Sequence, residues 1–321
     1  MKMKKKIAAL LALALIAATL LCACAGGGKA SNLVMASGGT SGTYYAYGAA
    51  VAQVLSEKVD GLSISVQSTG ASAANIRLIA KNEADIAIVQ NDVMSYAYDG
   101  VELFEGEQIQ DFGTMATVYA EVCQIIADPA SGIKSVADLK GKSVSVGDVG
   151  SGVEANAKQI LEAYGITFDD IKKQNLSFGD SATAMKDKKI DAFFCTAGTP
   201  TTAVVDLSSQ NDITVVPIDE DKIAALCEKY PFYTSYTIGK DTYNGMTEDV
   251  KTLAVKATFI VRNDLDETLV YNMTKALFEN KDEITVGHAK GSELDAAAAV
   301  QGASVPFHPG AEKYFKEAGV L

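Results

Sequence analysis

The stretch Ser37-Gly38-Gly39-Thr40-Ser41-Gly42-Thr43-Tyr44 stands between a short apolar run, Leu33-Val34-Met35-Ala36, and residues 45–58, where Tyr45, Ala49, Ala52 and Leu55 recur three or four apart. That pattern reads as strand, glycine-hydroxyl loop, helix. The first backbone N–H groups of a helix have no intrahelical acceptor, and the helix dipole places partial positive charge there, so such a junction can hold an anion. Glycines allow close backbone approach, and Thr40, Ser41 and Thr43 add hydroxyl donors. A glycine-rich turn before a helix is common, however, and by itself often does no more than redirect the chain.

The same construction recurs. Residues 63–67 alternate like a strand and lead through Ser68-Thr69-Gly70-Ala71-Ser72 into a helical stretch over 73–82. Residues 143–146 lead through Gly147-Asp148-Val149-Gly150-Ser151-Gly152 into 153–164, and 191–194 lead through Cys195-Thr196-Ala197-Gly198-Thr199-Pro200 into 201–208. A further strand over 85–89 ends at Gln90-Asn91, with Asp92 expected to cap a helix over 93–98. Four small-residue loops at strand C-termini point to one shared pocket, because ligands of open α/β sheets bind beyond those ends.

Two long apolar runs set the larger architecture. Residues 112–128 and 252–262 exceed the usual five or six residues of a strand, so each is expected to pass between two α/β lobes, a pair of crossings suited to a hinge. Glu121 lies inside the first run. It could hydrogen-bond a ligand amine or hinge water, or it could be structural, pairing with a lysine or facing solvent at the crossing; the cost of a buried unpaired carboxylate favours the structural role. Residues 101–111 read as a polar surface loop, and 266–280 as a helix with Leu269, Met273, Ala276 and Leu277 on one face. The tyrosines of 230–238 are expected to pack at a domain edge, and His308, flanked by Pro306 and Pro309, to be a positioned turn residue.

At 321 residues and 48% hydrophobic composition the chain is long enough for about two domains. Its net charge is −12, and −16 once the four lysines of residues 1–23 are set aside, which argues against nucleic acid and against anionic lipid surfaces. Only Arg77 and Arg262 carry guanidinium groups, so a carboxylate ligand must be held mainly by other donors. Residues 1–23 have a basic start, the apolar run Ile7 to Leu21 and small residues at the exit, the parts of a secretory signal. Leu21-Cys22-Ala23-Cys24 resembles a bacterial lipobox, with Cys24 as the expected lipidated residue and residues 24–31 as a flexible tether. The protein is then exported and held at the outer face of the membrane by lipid only. Cys123, Cys195 and Cys227 sit in unrelated segments, and no disulfide is expected; no metal site or cofactor is expected either, since His288 and His308 are too far apart to make a local ligand pair.

Gly39-Thr40-Ser41-Gly42-Thr43-Tyr44-Tyr45, Ser68-Thr69-Gly70-Ala71-Ser72, the stretch 83–92, Asp138-Leu139-Lys140-Gly141-Lys142, Asp191-Ala192-Phe193-Phe194 and the stretch 270–278 together resemble the TAXI class of solute-binding proteins, the extracytoplasmic receptors of TRAP transporters. The resemblance covers nearly all of the chain after the tether. It implies an α/β, two-lobed periplasmic-binding-protein fold of type II character, with a ligand cleft between lobes joined by two crossing strands. Residues 32–120 with 259–321 would form one lobe and 121–258 the other. It implies a monomer that binds without catalysis, delivering a small organic anion such as glutamate, glutamine or 2-oxoglutarate to a TRAP permease. The contacts it implies are Thr40, Ser41, Gly42, Tyr44, Thr69, Gly70, Ser72, Gln90 and Asn91 from one lobe, and Ser151, Gly152, Thr196, Ala197 and Gly198 from the other. Gln124 stands where the family pattern has a histidine, and Cys195 and Thr199 stand where bulkier residues are usual.

Two other readings compete. Gly70-Ala71-Ser72-Ala73-Ala74 lacks only the last glycine of a nucleophile elbow, which would make Ser72 a hydrolase serine, although a serine that opens a helix is expected there as a cap. Nucleotide binding is disfavoured, because neither glycine loop ends in the Gly-Lys-Ser/Thr that reaches terminal phosphates.

Overall fold

The computed structural model describes residues 31–321. The expected signal segment 1–23, Cys24 and the tether to residue 30 lie outside the described residues. Ser31, expected in the tether, instead opens the first strand and pairs with Leu62.

The first α/β series is β1 (Ser31–Ala36), α1 (Thr43–Lys58), β2 (Leu62–Gln67), α2 (Ser72–Ala80), β3 (Ile86–Gln90) and α3 (Asn91–Asp99). After the long strand β4 (Phe112–Ala127) come β5 (Ser143–Ser145), α4 (Gly152–Ala163), β6 (Lys172–Gln174), α5 (Phe178–Lys186), β7 (Ala192–Ala197) and α6 (Thr202–Ser208). The chain then adds β8 (Thr214–Val215), α7 (Glu220–Lys229), β9 (Thr234–Ile238) and the long β10 (Val250–Arg262). It closes with α8 (Glu267–Glu279), α9 (Lys281–Gly287), α10 (Ala296–Ala299) and α11 (Pro309–Glu317).

Strand order is β2-β1-β3-β10-β4-β7-β5-β6, with β8 added to β4 and β9 to β10. Two parallel sets, β2-β1-β3 and β7-β5-β6, are joined through antiparallel β10 and β4. β4 and β10 are the two crossings. The Ala257–Val261 part of β10 pairs with β3, while Val122 to Ala127 of β4 pair with β7. Between them the β4–β10 register slips twice, leaving Met115 and Val118 of β4 without a partner on β10. Each extra residue bends and twists the strand, which lets one 16-residue strand serve both sets.

Helices cover both faces of each set, so strand residues alternate between two buried cores rather than between core and water. In β7, Ala192 and Phe194 join one core while Phe193, Cys195 and Ala197 join the other. In the first set Met35, Ile86 and Ile88 pack with Tyr47, Leu55 and Phe259, whereas Ala36, Ala87 and Val89 pack with Ile76, Val93 and Phe112. α8 is capped as its sequence suggests, Asp266 accepting from the Leu269 N–H at 2.9 Å.

Two local expectations are corrected. Residues 101–111 are not simply a polar loop: Glu102–Phe104 form a 3-10 turn, and Phe104 and Ile109 are buried, with Arg77 over the Phe104 ring at 4.6 Å. The charged residues around these two anchors had masked them. α3 begins at Asn91, so Asp92 lies inside the first turn rather than capping it; its Oδ1 accepts from the Val93 N–H and its Oδ2 from Asn156. His308 does serve the turn, its Nδ1 accepting from the Gly310 N–H at the start of α11.

Candidate functional site

The C-terminal ends of the parallel strands and the helix N-termini that follow them surround a cavity of about 350 Å³. All four glycine-hydroxyl loops contribute to its wall. Among the residues singled out from sequence, Thr40, Ser41, Gly42, Tyr44, Thr69, Gly70, Ser72 and Gln90 line it from the β1–β3 side, and Ser151, Gly152, Thr196 and Ala197 from the β5–β7 side.

The loops are held in shape by their own polar side chains. Asn75, fully buried in α2, donates to the Ser37 carbonyl at 2.6 Å and the Ile88 carbonyl at 2.8 Å, tying the first loop to β3. Thr69 Oγ1 lies 2.5 Å from Asn75 Oδ1 and accepts from the Ala71 N–H at 3.1 Å. Ala71 itself has φ +66°, a conformation that side chains rarely adopt and that this network holds in place. On the other side Ser151 caps α4, accepting from the Glu154 N–H, while Glu154 reaches back to the Gly150 N–H at 2.8 Å. Lys173 and Asn175 hold the other oxygen of Glu154, at 2.7 and 3.0 Å. Gly147 permits the turn: its φ is +87°, and a Cβ there would lie 2.8 Å from Val153.

The two sides touch around the cavity. The Thr43 hydroxyl donates to the Gly198 carbonyl at 3.2 Å, and the Ala203 N–H donates to the Ser41 carbonyl. Gly152 lies flat against the Gln90 carboxamide, leaving no room for a side chain: a Cβ would be 1.9 Å from Oε1. Gly42 packs on the Phe178 ring and Gly179 on the Ser41 hydroxyl. Behind this contact a buried polar chain crosses between the sides, from Asp92 to Asn156 at 3.0 Å, Asn156 to Tyr233 at 2.8 Å, Tyr233 to Gln159 at 2.6 Å and Gln159 to Tyr96 at 3.0 Å.

Glu121 is the main correction. Among the described residues it is paired with no lysine, and it does not face solvent: it is 1% exposed and lines the cavity, close to Tyr44, Tyr119 and Gln90. Its Oε1, the Gln90 Oε1 and the Tyr44 and Tyr119 hydroxyls complete no hydrogen bond of ordinary geometry among the described residues, although the two hydroxyls and the Gln90 carboxamide stand close enough to the carboxyl to favour its charged form. Burial raises its carboxyl to about 8, with nearby Asp92 adding to the rise and Tyr44, Gln90 and Tyr119 offsetting part of it. Asp92 is raised to about 6, again mainly by burial. A single carboxylate inside a 16-residue apolar run carries no sign of which way it points; only the bend of β4 turns it inward.

Other expected residues have different duties. Asn91 does not line the cavity: its Oδ1 accepts from the Lys256 N–H at 3.0 Å and its Nδ2 donates to the Gly302 carbonyl, tying the C-terminal segment to β10. Gly198 lies outside the lining, its carbonyl receiving Thr43 and Thr201. Ser72 is not the cap of α2, a place held by Ala71; its hydroxyl accepts from the Gln90 N–H at 3.1 Å. Neither histidine lines the cavity: His288 accepts from the Lys290 N–H and His308 from Gly310, so neither is placed as a base for Ser72. Gln124 also lies elsewhere, accepting from the Tyr243 hydroxyl and donating to Thr201 at 3.0 Å, so the departure from the family histidine is absorbed by a buried network.

Ser177, Phe178 and Gly179 line the cavity without having been singled out. The signal was faint: Lys172-Lys173-Gln174 is too polar to read as a strand, although Ser177 with Asp180 makes a cap pattern, the Ser177 hydroxyl accepting from the Asp180 N–H.

The NMT1-like family profile matches residues 35–319. The chain belongs to the NMT1-like family. Among solved structures it is similar to PhnD1 from Prochlorococcus marinus in complex with methylphosphonate, at 10% identity and TM-score 0.57 over 91% of this chain and 100% of that one. It is similar also to the periplasmic aliphatic sulphonate binding protein SsuA from Escherichia coli, at 16% identity and TM-score 0.52 over 90% and 84% of the two chains. A third is the alkanesulfonate-binding protein SsuA from Xanthomonas axonopodis pv. citri bound to MOPS, at 14% identity and TM-score 0.51 over 89% and 83%. The fold is therefore the α/β fold of two-lobed periplasmic solute-binding proteins.

Proposed function

We propose that this chain is an extracytoplasmic solute-binding receptor that captures a small organic anion and hands it to a membrane permease without transforming it. The observation that carries this reading is the convergence of helix N-termini from both parallel sets, α1 and α2 on one side and α4 on the other, on one small cavity lined mostly by glycine, serine and threonine. Free N–H groups and hydroxyls arranged in this way supply many donors to one anionic group, and contacts from both sides make ligand binding favour the closed arrangement. The lobes that close are residues 32–120 with 259–321 and residues 121–258, moving about β4 and β10. Thr40, Ser41, Gly42, Tyr44, Thr69, Gly70, Ser72 and Gln90 bind from one lobe, and Ser151, Gly152, Thr196 and Ala197 from the other.

The order of the quoted motifs supports the TAXI class, and with it a TRAP permease as partner and glutamate, glutamine or a dicarboxylate such as 2-oxoglutarate as solute. The signal-like N-terminus supports export and anchoring through Cys24. No helix among the described residues is long and apolar enough to cross a membrane. The test is native mass spectrometry of protein purified without added solute, followed by calorimetry with glutamate, glutamine, 2-oxoglutarate and succinate and by small-angle scattering. A co-purifying small acid, or binding with a fall in radius of gyration, is expected; turnover of a bound compound, or no binding by any acid, sinks the reading.

A further inference from the structure

The cavity has an uneven electrostatic character. Among the described residues no lysine, arginine or histidine lines it, while two carboxylates do, Glu121 and Asp148. Asp148 is half-buried within the loop Gly147–Gly152, whereas Glu121 is buried, with the Tyr44 and Tyr119 hydroxyls and the Gln90 carboxamide beside it but no hydrogen bond completed to its Oε1. The groups facing Glu121 are Tyr44 from α1, Gln90 and Asp92 from the β3–α3 junction, and Tyr119 and Cys123 from its own strand, with Cys195 beside it on β7. None is cationic. Lys290 lies over the Tyr119 ring, 5.8 Å from its centroid, and is paired with Glu293 at 2.5 Å.

A ligand made only of carboxylates offers no donor to the Glu121 and Gln90 oxygens, and its charge opposes ionisation of Glu121. A ligand carrying an ammonium group satisfies both, since –NH3+ offers three donors to an acceptor-rich corner made of Glu121 and Gln90. Its own carboxylate then takes the N–H groups of the helix N-termini across the cavity. We propose that Glu121 is the recognition point for a protonated nitrogen, and that the solute is an amino acid rather than a nitrogen-free dicarboxylate. This rests on the receptor reading given above and narrows it. With the cavity empty, burial keeps the Glu121 carboxyl largely protonated at pH 7. The arriving ammonium keeps its three protons and favours the ionised carboxylate, so the Glu121 proton leaves to solvent and binding is accompanied by proton release.

The experiment uses full-length mature protein stripped of solute by partial unfolding and refolding. The twenty common L-amino acids are screened by thermal shift, and the best binder and its matching 2-oxo acid are titrated by calorimetry at pH 7 in phosphate and in Tris, buffers of different ionisation enthalpy. The expected result is that the amino acid binds at least about tenfold more tightly than its 2-oxo analogue, with close to one proton released per bound molecule. Glu121→Gln is expected to weaken amino-acid binding at least about thirtyfold and to abolish the proton release, with little effect on the 2-oxo acid. Tighter binding of the 2-oxo acid, or wild-type amino-acid affinity in Glu121→Gln, overturns the role of Glu121 while leaving a solute receptor. Absence of binding by both classes overturns the receptor reading and this inference together.

Discussion

Replacing Glu121 by glutamine in the empty protein is expected to make it more stable, with an effect that grows with pH. The carboxyl is 1% exposed and its acidity is weakened from 4.5 to about 8, chiefly because burial penalises the charged form. A folded-state value above the unfolded one means that the folded protein holds the proton more tightly. The associated stability is complete below pH 4.5 and is lost as pH rises towards 8. At about 1.36 kcal/mol per pH unit, the loss from pH 6.5 to pH 8 is roughly 2 kcal/mol. Other groups fall mainly outside that window. Asp92, raised to about 6, acts below it. His288 and His308 are lowered by burial and act with opposite sign below their ordinary 6.5, while buried Cys123, raised to about 12, begins to act only near 9. Glutamine keeps the shape and can donate to the orphan Gln90 Oε1. Urea unfolding of solute-free wild type and Glu121→Gln at pH 6.5, 7.25 and 8 measures the difference. Parallel stability curves over that window would refute the claim that this carboxyl is held neutral by its surroundings.

Two further substitutions test the close contacts. Gly152→Val would put a side chain into the Gln90 carboxamide, which must retreat by about 1.5 Å to reach ordinary contact. Because the obstacle is the end of a side chain on the opposite side of the cleft, the expected result is a nearly unchanged Tm in empty protein. Closure should be impeded by roughly 1–3 kcal/mol, which weakens solute binding about 5- to 150-fold in calorimetry; wild-type affinity would show that the contact does not belong to the bound state. Gly310→Ala acts on the fold instead. Its Cβ would lie 2.3 Å from the Glu267 carbonyl oxygen and 2.7 Å from the Tyr271 nitrogen, both backbone atoms of α8. A loss of about 1–3 kcal/mol and a fall of several degrees in Tm are expected by calorimetric scanning, with affinity unchanged; an unaltered Tm would mean that α11 can shift without cost.

Much of the cavity's lining was legible because it is local chemistry. A strand, a glycine-hydroxyl loop and a helix N-terminus are contiguous in the chain, so Ser37–Tyr44, Ser68–Ser72 and Gly147–Gly152 announced themselves, and the lengths of 112–128 and 252–262 announced the crossings. Asn91 and Gly198 share the composition of the loops but not their position, and composition alone could not separate a residue facing the cavity from one bonding to Gly302 or Thr43. The β6–α5 turn with Phe178 was hidden by the polarity of an edge strand.

Sequence by itself determined the alternation of strands and helices, the donor-rich loops and the scarcity of guanidinium groups, since each depends on neighbours along the chain. Only tertiary structure decided that Glu121 faces the cavity, that Gly152 lies against Gln90 and that Asp92 meets Asn156 across the two sides. Those facts depend on the bulges in β4 at Met115 and Val118 and on how two parallel sets dock across β4 and β10. The direction of a side chain on a bent, doubly buried strand is set by residues more than a hundred positions away, and no local periodicity encodes it.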